Sequence, residues 1–527
     1  MPTDRITYQD SGYFSPLITD YLNQDPTLAE FYNRYPEVQN FKAQADEKQA
    51  TYDHSFRHLL VDVLRRQYNA LETSDKTKTN IDSLLNDNTF TVTTGHQLNI
   101  FTGPLYFLYK IISTLNLASD LNAHYPDRKF VPVFWMATED HDFDEINHFH
   151  FKQTKYSWNR EKAGPAGRLP TDGLEMVFSQ FGDQLGISYN ADYLRKLFSD
   201  GYLNHRNLTD ATRYIANKLF GKYGLIILDA DDAKLKKVFI PHMESDLFRN
   251  TAFNSVSKTI EKMPTVQVNP REINLFYMED SFRERIIFED DTFYVNNTDI
   301  KFTANEIRDE LQENPQKFSP NVIMRPLYQE VLLPNLCYIG GGAEVAYWFE
   351  LRSYFEAESV TFPIVMLRNS VMLATQKQAA KLDRLNVEWK DVFLSKSDVE
   401  SRFVRKISEF PIDLSEQRAA LELQFDQLEK IAAATDKSFT GAVLAQRKKQ
   451  ISGLNNLEKR LLKAQKKKHA DELQRLTDLQ NELFPNGTLQ ERRANFSEFY
   501  LEYGEVVVEE LIKKLDPFSN EFSILVL

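Results

Sequence analysis

Three short stretches carry the side chains best able to do chemistry. The first is Gly95-His96-Gln97-Leu98-Asn99, inside the run TTGHQLNIFTGPLYFLYK (93–110). Glycine admits close backbone approach, while His96, Gln97 and Asn99 bring hydrogen-bond donors and a proton acceptor. The second is Glu139-Asp140-His141-Asp142-Phe143-Asp144-Glu145. Five carboxylates in seven residues repel one another unless solvent, a cation or an ammonium group intervenes. Such a set suits a divalent ion held by oxygens, a substrate amine, or acid–base work with His141. The third is Gly340-Gly341-Gly342-Ala343-Glu344. Its glycines let a ligand touch the backbone, and amides at a helix start suit an anion, whereas Glu344 repels phosphate and attracts ammonium. Upstream, Arg325 is of the type that steers a carboxylate or phosphate.

The candidate catalytic residues are therefore His96, Asp140 and His141. The candidate substrate-binding residues are Gly95, Gln97, Asn99, Thr102, Glu139, Asp142, Arg325, Gly340, Gly341, Gly342 and Glu344. His148 and His150 share one strand face without the spacing of a zinc motif, so no zinc and no metal ligand is expected. Taken singly, each stretch also reads as structure: a turn with a satisfied histidine, an acidic helix start, a glycine turn closed by a capping glutamate. All three follow predicted strands, and that shared position lets one sheet edge gather them.

The elements that must do the gathering follow from the apolar runs. Phe90–Val92 reads as a strand end, and Thr102-Gly103-Pro104 opens a helix over 103–122, with Thr102 as its N-cap. This places Gly95 to Asn99 in a strand-to-helix loop at the carboxyl end of a strand, where open α/β sheets bind ligands. Further strands are expected at 130–136, 225–228, 336–339 and 362–367, with a helix over 343–357. Short apolar runs separated by helices predict a buried, mostly parallel sheet. Residues 15–70 read as amphipathic helices. Residues 151–320 read as an insertion, with strand candidates near 265–268 and 286–295.

From about 372 strands nearly vanish, and a seven-residue apolar repeat takes over. Two helices joined near Gly441 should form an antiparallel hairpin, the second (441–483) about 65 Å long. The basic stretch 447–468 reads as a solvated face of the coil. The expected segments are 1–150 and 321–375 as two halves of the sheet domain, 151–320 as the insertion, 376–485 as the helical domain, and 486–527 packing back on the core. The fold class is thus α/β with an added all-α coiled coil.

The chain has 527 residues and a net charge of −13, which disfavours general nucleic-acid binding. Its single cysteine, Cys337, rules out an internal disulfide and sits in an apolar run that reads as core. No apolar run approaches the ~18 residues of a membrane helix, so a soluble cytoplasmic protein is expected.

TTGHQLNIFTGPLYFLYK, VPVFWMATEDHDFDEINH (131–148) and RPLYQEVLLPNLCYIGGGAEVAYWFEL (325–351) resemble the cysteine-adding enzymes of bacillithiol biosynthesis, the cysteine ligases. FPNGTLQERRANFSEFY (484–500) and LDPF (515–518) match that family's tail, so the resemblance spans almost the whole chain in order. It implies a Rossmann-type core with connecting-peptide insertions and a coiled coil supporting a homodimer. It also implies the last step of the pathway, joining L-cysteine to glucosaminyl-malate through an amide. Some members carry Gln and Gly where this chain has His96 and Asn99. A carboxylate is a poor electrophile, so ATP with Mg2+ is the expected activating pair, although no lysine-rich nucleotide motif calls for it. The residues alone leave two alternatives: a metal-dependent hydrolase centred on Glu139–Asp144, and a non-catalytic dimeric scaffold.

Overall fold

The computed structural model describes residues 3–161 and 164–527. Its centre is set by two strands buried along both faces. β1 (Thr89–His96) is buried at every position, and β2 (Lys129–Met136) at all but its first. Strands of that kind are covered on both faces and belong in the middle of a parallel sheet. β3 (Ile226–Asp229), β4 (Asn335–Gly340) and β5 (Ile364–Leu367) complete it in the order β5-β4-β1-β2-β3, every pair parallel. The chain therefore steps outward in one direction from β1 to β3, then restarts on the other side of β1. The reversal opens a crevice beyond the carboxyl ends of β1 and β4, where ligands bind in such sheets.

Helix α1 (Tyr106–His124) returns from β1 to β2 and packs on both. Helix α2 (Gly342–Glu350) leaves β4 directly. Two details differ from the sequence reading. β1 runs on through Gly95 and His96, because both still pair with β2, as Gly95↔Trp135 and His96↔Met136. Thr102 does not cap a helix. It ends a single 3-10 turn, and α1 begins only at Tyr106. The intervening chain is pinned elsewhere, with the Leu105 amide donating to Ala494 O at 2.8 Å.

The insertion contains a five-stranded antiparallel sheet in the order 301–302, 292–295, 282–289, 275–279, 318–320. Residues 265–268 are irregular rather than a strand, because the Gln267 and Val268 amides turn inward to the carboxylate of Glu350. Beyond Ala374 the described residues hold one more strand, Glu521–Val526, where the apolar run Phe522 to Val526 predicts it. Val371–Ala374 pairs with Glu521–Val526, which in turn pairs with Thr3–Thr7, so both ends of the chain meet in one small sheet.

The helical unit is the expected hairpin, α3 (Ser415–Ala433) against α4 (Lys437–Lys468). Its joint lies at 434–436 rather than near Gly441, because Asp436 caps α4 by accepting from the Ser438 and Phe439 amides. The long helix breaks at His469, where α5 (Ala470–Leu483) starts, so α4 spans about 48 Å. Within the basic stretch, Arg447 pairs with Asp426 and Glu429, and Lys466 with Glu400. Short helix α6 (Phe496–Tyr503) follows the coil and packs back on the core.

Candidate active site at the crossover between β1 and β4

Gly95 leaves little room for a side chain. A Cβ there would stand 3.3 Å from the Tyr338 hydroxyl and 3.6 Å from Arg325 Nη1. That approach brings the end of β1 against β4, and α1 closes the gap with Lys110. Its Nζ donates to Gly95 O at 2.9 Å and pairs with Glu344 Oε2 at 2.5 Å. Glu344 also accepts from the Tyr338 hydroxyl at 2.7 Å and from the Gly341 amide at 2.8 Å. Burial works to raise the Glu344 carboxyl, but Lys110 and these hydrogen bonds outweigh it and hold it below the usual range. Burial lowers the Lys110 ammonium in turn.

One expectation for the glycine loop is refined as a result. The ammonium that Glu344 attracts is the chain's own Lys110. The Gly341 amide just ahead of α2 is bonded to Glu344, whose carboxylate at this helix start disfavours a phosphate, as its place in the sequence suggests. Two guanidinium groups border the same crevice. Arg325 donates to Gln329 Oε1 at 3.1 Å, lies 5.5 Å from the Tyr338 ring, and also bonds the Tyr347 side chain. Arg368 follows β5 and donates its backbone amide to Gly340 O at 2.8 Å. It grips Glu491 through both terminal nitrogens, at 3.1 and 2.7 Å.

His96 is 8% exposed and packs against the Tyr106 and Phe107 rings. Its Nδ1 lies 2.7 Å from Gln97 O, an acceptor, so Nδ1 carries the hydrogen and Nε2 is left to accept. Burial, then the nearby Lys110, pushes its pKa down to about 3. His96 is thus a neutral hydrogen-bond acceptor near pH 7 and a feeble proton acceptor.

Gln97 ties the first loop to the second, its amide donating to Asp140 Oδ2 at 2.6 Å and to Glu145 Oε2 at 2.7 Å. Asn99 adds a bond to Glu145 O at 2.8 Å. Repulsion within the acidic loop is relieved from inside the protein. Fully buried Lys236 pairs with Glu139 at 2.9 Å, and Asp140 accepts the His141 amide at 2.7 Å. His141 is not placed as a base. Arg283, which can only donate, approaches its Nδ1 at 2.9 Å, so the hydrogen of the neutral ring sits on Nε2. Burial and Arg283 also lower its pKa. Asp142 is exposed at the rim. Thr102 is buried with its hydroxyl unpartnered and belongs to the packing behind the loop rather than to the crevice.

One strand further out, an open cleft of about 940 Å3 lies past β3, between Arg66, Arg168, Arg213, Asp229 and Asp231. Arg168 is already bidentate on Asp231, at 2.8 and 3.0 Å. Burial, then Asp231, raises the Asp229 carboxyl to about 6. Among the described residues no group of three or more His, Cys, Asp or Glu side chains is arranged to hold a metal ion.

The three predicted loops thus meet at one end of the sheet. The β4 side of the crevice is rich in cationic nitrogen and the β2 side in carboxylate. An arrangement of that kind suits a ligand bearing a carboxylate at one end and an ammonium at the other. The sequence reading missed Lys110, Tyr338, Arg368, Lys236 and Arg283. Lys110 and Tyr338 had legible signals, since one lies on the helix leaving the first loop and the other on the strand entering the third. The other residues reach the site from remote segments.

Comparison with known proteins agrees with this architecture. The profile of the N-terminal Rossmann-like domain of the bacillithiol biosynthesis BshC family matches residues 1–369, and that of its C-terminal coiled-coil domain matches 371–527. The chain belongs to this family. Relatives named "Putative cysteine ligase BshC" include one from Flavobacterium johnsoniae, 58% identical over 100% of both chains. One from Cytophaga hutchinsonii is 37% identical over 98% of this chain and 97% of its own. One from Bacillus cereus is 28% identical over 95% of this chain and 96% of its own. The family's Rossmann-like unit contains all three loops. Glu491, which holds Arg368, comes from the coiled-coil unit.

Proposed function

We propose that the chain is a ligase that joins the carboxyl group of L-cysteine to the amino group of glucosaminyl-malate, forming the amide of bacillithiol in the last step of its synthesis. Full-length membership of the family carries this reading, and the bipolar crevice is compatible with it. In this reading the sugar ammonium faces Asp140 and Glu145, which Gln97 orients. Substrate carboxylate faces Arg325, whose hydrogen bonds within the protein go to the uncharged side chains of Gln329 and Tyr347. Gly95 and Gly340 admit the close approach of Tyr338, Arg325 and Glu344, which fill the space a side chain would need there. His96 accepts a hydrogen bond through Nε2, and Glu344 with Lys110 fixes the relative placement of β1, β4 and α2.

Amide formation from a free carboxylate needs an activating co-reactant, for which ATP with Mg2+ is the usual choice. No step is assigned to it, since the Glu344 carboxylate at the start of α2 disfavours phosphate there. The protein acts in the cytoplasm, as a dimer held through the coil.

The test is to incubate the purified protein with cysteine and glucosaminyl-malate, with and without ATP-Mg2+, and follow bacillithiol by mass spectrometry. Product that depends on the protein supports the reading. No product under any condition, together with unchanged bacillithiol in cells lacking the gene, overturns it.

A further inference from the structure

We infer that Asn495, contributed by the segment after the coiled coil, is a positioning residue for the candidate active site. It holds the turn behind β1 in a shape that turn would not keep alone, and so sets Gln97 and Asn99 against the acidic loop. The catalytic consequence, though not the positioning itself, rests on the ligase reading above.

The turn is Phe101-Thr102-Gly103, where φ is +48°, +67° and +61° in succession. Positive φ is uncommon for any side-chain-bearing residue and is an outlier for β-branched threonine. Gly103 pairs its φ with a ψ of −136°, a region open essentially to glycine. A Cβ at Gly103 would lie 2.7 Å from Asn99 Cβ, so the turn packs directly on a residue of the site. The buried Thr102 hydroxyl and Asn99 Oδ1 also lack partners, in a protein interior where such groups are normally paired. A local sequence preference does not account for this conformation, and the surrounding structure must impose it.

What imposes it comes from two distant parts of the chain. Asn495 is fully buried, and its Nδ2 donates to both Phe101 O (2.7 Å) and Gly103 O (2.6 Å), bracketing the turn. From the insertion, the Tyr202 hydroxyl accepts from the Phe101 amide at 2.5 Å. The Phe101 ring sits among Phe149, Phe181, Phe198 and Phe496, with centroids 5.1–5.5 Å away. The turn leads without a break into Asn99 and Gln97, whose amides hold Glu145 and Asp140. Strain at a functional loop is maintained in this way by groups outside it.

Asn495 has a second task that the test must separate from the first. Its Oδ1 accepts from the Ser497 amide at 3.0 Å and so caps α6. Aspartate caps as well as asparagine but cannot donate as a carboxylate, so Asn495→Asp keeps the cap and loses the clamp.

Hydrogen exchange of the whole protein is the primary readout. In Asn495→Asp, the amides of 97–103 and 139–146 should exchange about tenfold faster while the rest of the sheet is unchanged. In the ligation assay, KM for glucosaminyl-malate should rise about tenfold, while KM for cysteine stays within about twofold. Should Asn495→Asp fail to fold, Tyr202→Phe releases the same turn from the insertion side and should loosen the same two segments. Exchange that is unchanged in those segments, or faster to the same degree throughout the core, would overturn the inference. So would loosened exchange with unaltered kinetics in an active enzyme. If the wild type makes no product, the exchange measurement still decides the positioning, so failure of the ligase reading is distinguishable.

Discussion

At the scale of single residues, the crevice is organised by a buried ion pair whose value to stability and value to function can be separated. Removing one partner of such a pair strands the other charge, whereas replacing both by apolar groups is often tolerated. Glu344→Gln should therefore destabilise the protein by about 3–5 kcal/mol in chemical unfolding. Lys110→Met with Glu344→Leu should recover much of that loss without restoring ligation, because the link between Gly95 O and α2 is gone. A double variant that is both stable and fully active would show the pair to be structural only. His96 gives a second residue-scale prediction, through pH. Its folded-state pKa is depressed to about 3 from 6.5. Between those values the unfolded chain binds a proton that the folded one refuses, so stability falls as pH is lowered through that window. The cost at pH 5 is about 2 kcal/mol. His96→Gln should flatten the decline between pH 7 and 5 in denaturant titrations. An unchanged slope would mean that His96 takes up a proton in the folded state.

At the scale of elements, what could be read from the sequence divides along a physical line. The parallel sheet was legible because burial on both faces writes an unbroken apolar run, as in Val131–Met136 and Leu336–Ile339. The meeting of the three loops followed from their common place after those strands. Element ends were less legible because they are settled by partners far away in sequence. Thr102-Gly103-Pro104 has the composition of a helix start, yet Asn495, some 390 residues on, claims the carbonyls of that turn. Residues 265–268 have strand character, yet the Glu350 carboxylate draws two of their amides inward. The hairpin joint went to Asp436 instead of Gly441, since a capping carboxylate ends a helix more firmly than a glycine that helices tolerate at modest cost. The site divides in the same way. Gly95, Gln97, Asp140, Arg325 and Glu344 sit in the quoted motifs, whereas Arg368 and Lys236 act through contacts that no local pattern announces.

At the scale of the whole molecule, the hairpin is poorly sheltered by the rest of the chain. Its own small core is Phe425, Ala432 and Val443, with Leu421 against them. By contrast Leu423 is 63% exposed, Ile431 59% and Leu457 55%. Exposed apolar side chains scattered singly are ordinary, but several on two helices that already pack together suit burial against a further helix pair. The dimer proposed above would use that face. Leu423→Glu together with Ile431→Glu should halve the mass seen by light scattering. The melting temperature of the sheet domain should stay within about 2 °C, because these side chains lie outside the main core. The family's coiled-coil unit also supplies Glu491, which holds Arg368 at the crevice, and Asn495, which holds the turn behind β1, both within their own protomer. Those braces follow the helix break at His469 and do not depend on the hairpin face, so the monomeric variant should retain most of its ligation activity. An unchanged mass would place the dimer contact elsewhere. A monomer that has lost activity with its fold intact would show that assembly, and not only residues 490–496, holds the site in shape.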